Sequence, residues 1–567
     1  MNQTSAEVDR QSANYRGRFF LRPNFIYIAI LMSLVLIAAI RIAGTYHILS
    51  QVDDEGYHIA CGMEWLDKGT YTYEMQHPPL TRVVAALGPY LLGGHSYGLD
   101  HPVKEGNAIL NANGEYFRNL TAARLGNLMF LAIACAALAW WAWRKYGPLT
   151  AVLSVFLFTN VPPVLGHAGV ATTDMGCTAA VILVLAVFVW WLDRPTRLRL
   201  LLFGGALGFA VLTKFSAPFF LVACIVPAIV LQGVTGRLPR PRLLDAFCAA
   251  LLCFVVIWSG YRFHSTRWIT RPGVQARLER MTGFKRELAE FGSRVPIPLS
   301  EVALGLRDVE DHNHNGHHTF LMGKYSEMGW WYYFPIVVLI KSPLSFLILA
   351  GIGFSILWLH AIRTRNWLFA APALFAFLIL ASVLPSHIDI GIRHVLPLYG
   401  PLTLCGGYAL ARAASALRAG QWLTSAAVIA LAVLMCAETA TAHPDYLAWF
   451  NIAAGGHPEN IVADSNIDWG QDLYRLSERL RDLKVQSVTM ACLGNTDLSK
   501  LGLPTYQIAK PFQESTGWVA GSVAYLRLRR AKDGSYAWIA RNHPTERVGK
   551  SIFLYYVPAS GGNAALP

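Results

Sequence analysis

Long apolar runs alternate with short basic segments over most of the chain. Read in windows of about 19 residues, the pattern predicts about eleven membrane spans. They fall at 24–43, 120–143, 149–166, 175–192, 199–213, 216–233, 243–260, 333–358, 367–384, 394–412 and 422–440. One set of connections carries Arg144 and Lys145, then Arg194, Arg197 and Arg199, then Arg237, Arg240 and Arg242, then Arg363 and Arg365, then Arg412 and Arg418. If the spans alternate, all of these lie on the side of Arg10, Arg16, Arg18 and Arg22, which makes that side cytoplasmic. No small-residue cleavage site follows the first run, so it reads as a span and not as a removable signal. Two long loops, 44–119 and 261–332, and the tail 441–567 then lie outside.

Those boundaries divide the chain into a cytoplasmic N-terminal tail (1–23), a membrane part (24–440) and an extracytoplasmic tail (441–567). The fold class expected is a polytopic α-helical membrane protein with a C-terminal extracytoplasmic α/β domain. In the tail a strand-to-helix unit is expected around Ile461–Leu480. Strand-like runs follow at Val485–Cys492, Trp518–Leu526, Tyr536–Ile539 and Ile552–Val557.

Composition changes this picture little. Charged residues are 15% of the chain and hydrophobic ones 54%, against about a quarter charged in soluble domains. The net charge of +13 sits at the ends of apolar runs, where it reads as topology signal and lipid-headgroup contact. No basic–aromatic module points to nucleic acid. Seven of the nine cysteines lie in apolar runs; Cys61 and Cys492 do not. No metal-type Cys/His spacing occurs, so the cysteines read as small buried residues.

The chemistry gathers in the outward loops. After the first span comes Gln51-Val52-Asp53-Asp54-Glu55-Gly56-Tyr57-His58, three carboxylates close to a membrane edge. One can take a proton from an acceptor while a phosphate leaves; acids at a helix N-terminus are the plainer reading. Further on stand Glu74-Met75-Gln76-His77-Pro78-Pro79-Leu80-Thr81-Arg82 and an apolar stretch to Leu92. Proline restricts the residue before it to extended geometry. The stretch is short for a span and predicts an interfacial helix, with His77 and Arg82 at headgroup level.

Asp54-Glu55-x-Tyr57 followed by His77-Pro78-Pro79-Leu80 resembles the first extracytoplasmic loop of the GT-C class of membrane glycosyltransferases. More narrowly, it resembles bacterial relatives of dolichyl-phosphate-mannose protein mannosyltransferase and aminoarabinose lipid A transferase. The resemblance implies a GT-C-like helical membrane domain that uses a phospholipid-carried sugar. It maps the essential first-loop aspartate onto Asp54, with Asp53 the alternative if the alignment is one residue out, and Glu55 and Tyr57 beside it. It also maps a second acidic residue onto Asp174, in Thr172-Thr173-Asp174. Asp174 either helps form the active site or holds a divalent metal with Asp54; an N-cap is the rival reading. No cofactor is required by the residues, and a divalent cation, Mg or Mn, is left open. Further likeness lies in Gly323-Lys324-Tyr325-Ser326 with the aromatic belt after it, and in Asp464-Ser465-Asn466-Ile467-Asp468-Trp469-Gly470-Gln471-Asp472-Leu473.

Other charges sit where a lipid phosphate would need them. Lys214 lies between two apolar runs, and Lys341 lies inside one, below the belt Trp330-Trp331-Tyr332-Tyr333-Phe334. Intramembrane cations are expensive and usually functional, though snorkelling is the alternative. Arg393 and His394 open the tenth run and Arg262 closes the seventh; arginine matches phosphate geometry well. His77, Arg82, Lys214, Lys341 and Arg393 are therefore the candidate phosphate ligands, with Tyr57 facing the donor. The His-rich tract Asp311–His318 reads as a polar loop more readily than as a metal site. On a helix Asp464, Asp468 and Asp472 would share one face. Trp469 would stack on a sugar ring or pack the tail onto the membrane part, packing being the plainer reading.

The mechanism implied is one inverting displacement. Asp54 takes the proton of an acceptor hydroxyl that attacks the anomeric carbon of a polyprenyl-phosphate sugar. The acceptor, a glycan, a lipid or a protein, is not specified by any residue. A glycolipid transporter, or a glycan-binding subunit without catalysis, is the rival reading. The transporter predicts inverted-repeat symmetry, which the sequence does not display.

Overall fold

In the computed structural model, residues 23–267, 278–279 and 281–558 are described. The arginines at positions 10, 16, 18 and 22 lie outside that set, with most of the 1–23 segment. Helices stand at all eleven apolar runs. Seven are long and apolar enough to cross a membrane: Asn24–Ala43, Tyr116–Tyr146, Asp174–Asp193, Ser216–Val234, Leu243–Gly260, Leu344–Thr364 and Trp422–Ala440. Arg197–Thr213, Ala371–Val383 and Tyr399–Arg418 are shorter or less apolar helices that pack among them.

Prolines account for two departures from the expected spans. The run at 149–166 is broken into Pro148–Phe158 and Pro162–Ala168, bent by 71°. Pro162 and Pro163 carry no N–H to continue the ladder, and Val161 before them is extended. The run at 333–358 is likewise two helices, Tyr333–Lys341 and Leu344–Thr364, parted at Ser342-Pro343. Lys341 is thus the last residue of a helix, where a cation meets free carbonyls.

The Asp174–Asp193 helix is the centre of the bundle, with 89% of its apolar window buried, against 11% for the first span and 6% for Leu243–Gly260. A residue at the start of that central helix therefore sits among several walls. The first loop folds as helices Glu55–Met63, Pro79–Leu91 and Pro102–Leu110. Pro79–Leu91 is the expected interfacial helix: it has Pro at its first turn, and Leu87, Tyr90 and Leu91 are exposed.

The second loop is more ordered than the sequence suggests. Helix Ser300–Asn315 runs into the His-rich tract, and a hairpin pairs Thr319–Leu321 with Lys324–Ser326. The tail holds a five-stranded sheet in the order Thr505–Ile508, Ser487–Ala491, Gly517–Ser522, Ile552–Val557, Glu546–Val548. The first two pairings are parallel and the others antiparallel. Its helix is Leu473–Asp482, with no strand before it at 461. Tyr536–Ile539 is not a strand, and Gly517–Ser522 stops at a π-helical turn, Ala524–Arg529. Asp464, Asp468 and Asp472 share no helix, because that helix begins only at Leu473.

Candidate active site

Asp54 is the N-cap residue of Glu55–Met63, but its carboxylate does not cap. It turns to Arg393, whose Nη1 donates to Oδ2 at 2.5 Å. Arg393 sits on the 3-10 segment Ile392–Leu398, and its guanidinium lies 4.3 Å from the centre of the Trp469 ring. Asp174 is the first residue of the central helix, whose N-cap is Thr173. It accepts from Lys214 Nζ at 2.6 Å and from the Thr172 hydroxyl at 3.2 Å. Lys214 is held there because it lies in the extended break between Arg197–Thr213 and Ser216–Val234. Two acid–base pairs, drawn from the first loop and three distant segments, thus meet at one place.

Between them is a cavity of about 440 Å³ lined by Asp54, Tyr57, His77, Arg82, Lys214 and Arg393 among others. Thr173 and His394 complete the membrane side, and His312 and His317 the side of the second loop. Burial, and then the Lys214 ammonium, push the His77 imidazole down to about 3. It is neutral at ordinary pH, so it offers a phosphate an N–H and no charge. Its Nδ1 is sealed from solvent without a partner. His317 is pushed down to about 4 by burial and then by His312.

Arg82 lines the cavity but is largely committed. Its donors go to His58 Nδ1 at 3.0 Å, Tyr71 Oη at 2.9 Å, the Glu74 carbonyl at 3.0 Å and the Glu74 carboxylate. It shapes the wall more than it extends from it.

Three candidates stand elsewhere. Glu55 is fully buried and forms a two-pronged pair with Arg124, both contacts at 2.8 Å. The Val52 and Ala171 N–H groups donate to the same carboxylate. It has no access to the cavity, so its place in the chain is structural. Lys341 does not line the cavity either. Its Nζ donates to the carbonyls of Leu447 at 2.6 Å and Asn466 at 2.7 Å. The helix ends there, so the ammonium meets the incoming tail and not a lipid. Arg262 stacks on Trp65 at 4.1 Å and donates to its carbonyl. Lys341→Met should leave donor affinity unchanged. It should destabilise the chain by roughly 2–4 kcal/mol, since two buried carbonyls lose a charged donor. Detergent melting and a donor titration check this together; weakened donor binding with unchanged melting would restore Lys341 to the site.

The tail completes the geometry. Asp53 N–H donates to the Trp469 carbonyl at 2.9 Å, and Ser50 N–H to the Gln471 carbonyl at 3.0 Å. On the other arm, Ile392 N–H donates to Asn466 Oδ1 at 3.1 Å and Ser465 Oγ to the Ile390 carbonyl. Trp469 is 3% exposed, so it packs under Arg393 and leaves no face for a sugar. Residues 465–471 therefore brace both partners of the Asp54–Arg393 pair. The motif was visible in the sequence, but nothing in its spacing said which loops it would touch. His58, Glu74, Gln76, His312 and His317 were not singled out as site residues. Their signal was proximity to His77 in the first loop and the His tract in the second, which meet where Gln76 Nε2 lies 2.8 Å from His312 Nδ1.

Burial, then the Asp54 carboxylate, push Asp53 up to about 7, and burial pushes Asp464 up to about 6. A folded-state value raised above the unfolded one means stability is fully present below about pH 4. That stability is lost as pH rises through 7. Asp53→Asn should remove this part of the decline between pH 4 and 7, measured by melting across that range; an unchanged slope would place the proton elsewhere.

Among the described residues no three His, Cys, Asp or Glu side chains gather as a metal site requires. Asp54 and Asp174 are instead each paired with a cationic side chain, Arg393 and Lys214.

No curated protein sequence matches the chain. Among solved structures it is similar to ArnT from Cupriavidus metallidurans bound to undecaprenyl phosphate, at 16% identity and a TM-score of 0.48, over 94% of this chain and 99% of that one. It is also similar to the Archaeoglobus fulgidus oligosaccharyltransferase tethered to an acceptor peptide, at 11% identity and a TM-score of 0.49, over 95% of this chain and 75% of that one. A family model, dolichyl-phosphate-mannose-protein mannosyltransferase, matches residues 31–270. Asp54, His77, Arg82, Asp174 and Lys214 all lie inside the segment that matches this mannosyltransferase family, as the resemblance of the first loop implies.

Proposed function

We propose that the chain is an inverting membrane glycosyltransferase that moves a sugar from a polyprenyl-phosphate carrier to an acceptor hydroxyl on the extracytoplasmic face. The observation that carries this reading is the pairing of Asp54 with Arg393 and of Asp174 with Lys214 around one cavity. Carboxylates and cations alternate there, as a reaction that takes up a proton and releases a phosphate needs. The similarity to ArnT bound to undecaprenyl phosphate agrees with a lipid phosphate as the leaving group.

In this reading the donor phosphate competes with Asp54 for Arg393. Arrival of the donor draws the guanidinium onto phosphate oxygens, where two parallel hydrogen bonds form. Asp54 is then free to accept the acceptor proton. The acceptor oxygen bonds to the anomeric carbon, the carbon–phosphate oxygen bond breaks, and the electron pair leaves on the lipid phosphate. Arg393, Lys214 and the His77 N–H steady that charge in a site of low dielectric. Asp174 holds Lys214 in place. The membrane would be the cell inner membrane, with the N-terminus cytoplasmic and the tail outside.

Incubating the purified chain with radiolabelled polyprenyl-phosphate sugars and membrane extract tests this directly. The labelled product names the sugar and says whether the acceptor is protein, lipid or envelope glycan. No labelled product from any donor, with the donor bound, would favour a carrier.

A further inference from the structure

The tail carries a second cavity, of about 420 Å³, apart from the one above. Its walls include Phe320 and Met322 of the second-loop hairpin, Asn460, Leu526, and two arginines, Arg527 and Arg530. Four cations fall in six residues here: Arg527-Leu528-Arg529-Arg530-Ala531-Lys532. The π-helical turn Ala524–Arg529 begins where Ala524 N–H donates to buried Asp468 at 2.7 Å. It runs straight into the helical turn Arg530–Asp533. Arg527 and Arg530, three residues apart, therefore share a side, and both reach the cavity.

Charge in this cavity is unanswered. No carboxylate lines it. Glu459, whose field overlaps theirs at Tyr555, is already held by Arg547 at 3.5 Å and His457 at 3.1 Å. A solvated basic face would account for the exposed Arg529 and Arg530. It does not account for Arg527, whose Nε is sealed from solvent and has no hydrogen-bond partner. A desolvated donor on a cation is costly unless an acceptor arrives.

The two cavities are close along the chain. His317 lines the first and Phe320 the second. The two residues are three positions apart, so they lie within about 10 Å of each other even on a fully extended chain. Lys532 Nζ lies 3.0 Å from His318 Nε2, in the same stretch.

We propose that Arg527 and Arg530 form a subsite for a phosphate group on the acceptor, so that the acceptor is a phosphorylated molecule anchored at a point apart from its reacting hydroxyl. The planar guanidinium is suited to phosphate oxygens. This rests on the glycosyltransferase reading. The phosphate could belong to a water-soluble phosphoglycan or to a lipid headgroup.

The test uses the full chain in detergent with undecaprenyl phosphate added to fill the first cavity. Inorganic phosphate, and separately glucose 6-phosphate, is titrated at ionic strength held constant with chloride while melting is followed. A parallel arm places the chain in nanodiscs with or without phosphatidic acid. We expect a saturable response to at least one probe, weakened at least tenfold in Arg527→Gln and in the double variant with Arg530→Gln. Affinity for undecaprenyl phosphate should not change. A response to soluble probes assigns a phosphoglycan; one confined to phosphatidic acid assigns a lipid headgroup. No saturable response in any arm overturns the proposal, as does an equal loss in Arg529→Gln, which would reduce the effect to general charge. If undecaprenyl phosphate itself fails to bind, the functional reading fails, while phosphate titration of the wild type against Arg527→Gln still decides the subsite.

Discussion

Asp54→Asn should lower transfer by about 10²–10⁴-fold, the usual worth of a positioned general base, while the chain stays folded. The Asp54 side chain is 31% exposed at the cavity and that of Arg393 only 11%, but Arg393 keeps the field of the Asp174 carboxylate when the Asp54 charge is lost. Asn keeps an oxygen that can still accept from Arg393, whose Nη1 now donates to Asp54 Oδ2 at 2.5 Å. Melting should shift little, because a hydrogen bond to a charged group, worth roughly 1.5–3 kcal/mol, is kept by the Asn oxygen. Donor affinity should hold or rise, because Arg393 no longer has a full negative charge to leave. Single-turnover transfer, donor titration and melting on one preparation separate these effects. Near-normal turnover in the Asn variant would remove Asp54 as the base and make Asp53 the next candidate. That second carboxylate, pushed up to about 7, is also available to take a proton.

The carrier reading makes the opposite forecast, since a protein that only moves a glycolipid has no proton to place. It would tolerate Asp54→Asn as long as Arg393 still met the phosphate.

Much of this was legible in the chain because membrane burial writes long signals. All eleven apolar runs are helical, two of them broken at prolines, and the short stretch after His77-Pro78-Pro79 gave the helix Pro79–Leu91. Of the residues that resemble the family, Asp54 and His77 line one cavity with Lys214 and Arg393, and Asp174 stands behind it, paired with Lys214. What failed was anything set by partners far along the chain. Lys341 read as an intramembrane cation in need of a phosphate, but its partners are the carbonyls of Leu447 and Asn466, over a hundred positions on. Glu55 and Asp54 are indistinguishable by type and spacing. Only the helix start, which points one residue to Arg393 and the next to Arg124, gives them different work. In the tail the expected runs at Val485–Cys492, Trp518–Leu526 and Ile552–Val557 do hold strands, and the two strands not foreseen escaped for a local reason. Thr505–Ile508 is an exposed edge strand of four residues and Glu546–Val548 has three, too short for an alternating pattern to show. Tyr536–Ile539 is apolar because it packs under the sheet with Trp538, not because it joins it.

Arg124→Met should be the most destabilising of the substitutions considered, by about 3–5 kcal/mol, because it strands a buried carboxylate. Arg124 is 1% exposed and Glu55 not at all. The arginine also donates to the carbonyls of Leu49 at 3.0 Å and Ser50 at 2.8 Å. Glu55 in turn takes the N–H groups of Val52 and Ala171. One pair therefore ties three segments: the long Tyr116–Tyr146 helix, the strand of chain leading to Asp54, and the turn leading to Asp174. Methionine keeps the volume and loses every donor. Transfer should fall with stability, since the proposed base Asp54 and Asp174, which holds Lys214, both hang from this knot, and lowering the temperature should recover part of it. Glu55→Gln together with Arg124→Met removes both charges, and that double variant should be more stable than the sum of the single losses predicts. Melting of the two singles and the double closes the cycle. Strict additivity would mean that the pair does not act as a unit. A lone Glu55→Gln that melts normally yet transfers as poorly as Asp54→Asn would return Glu55 to the chemistry.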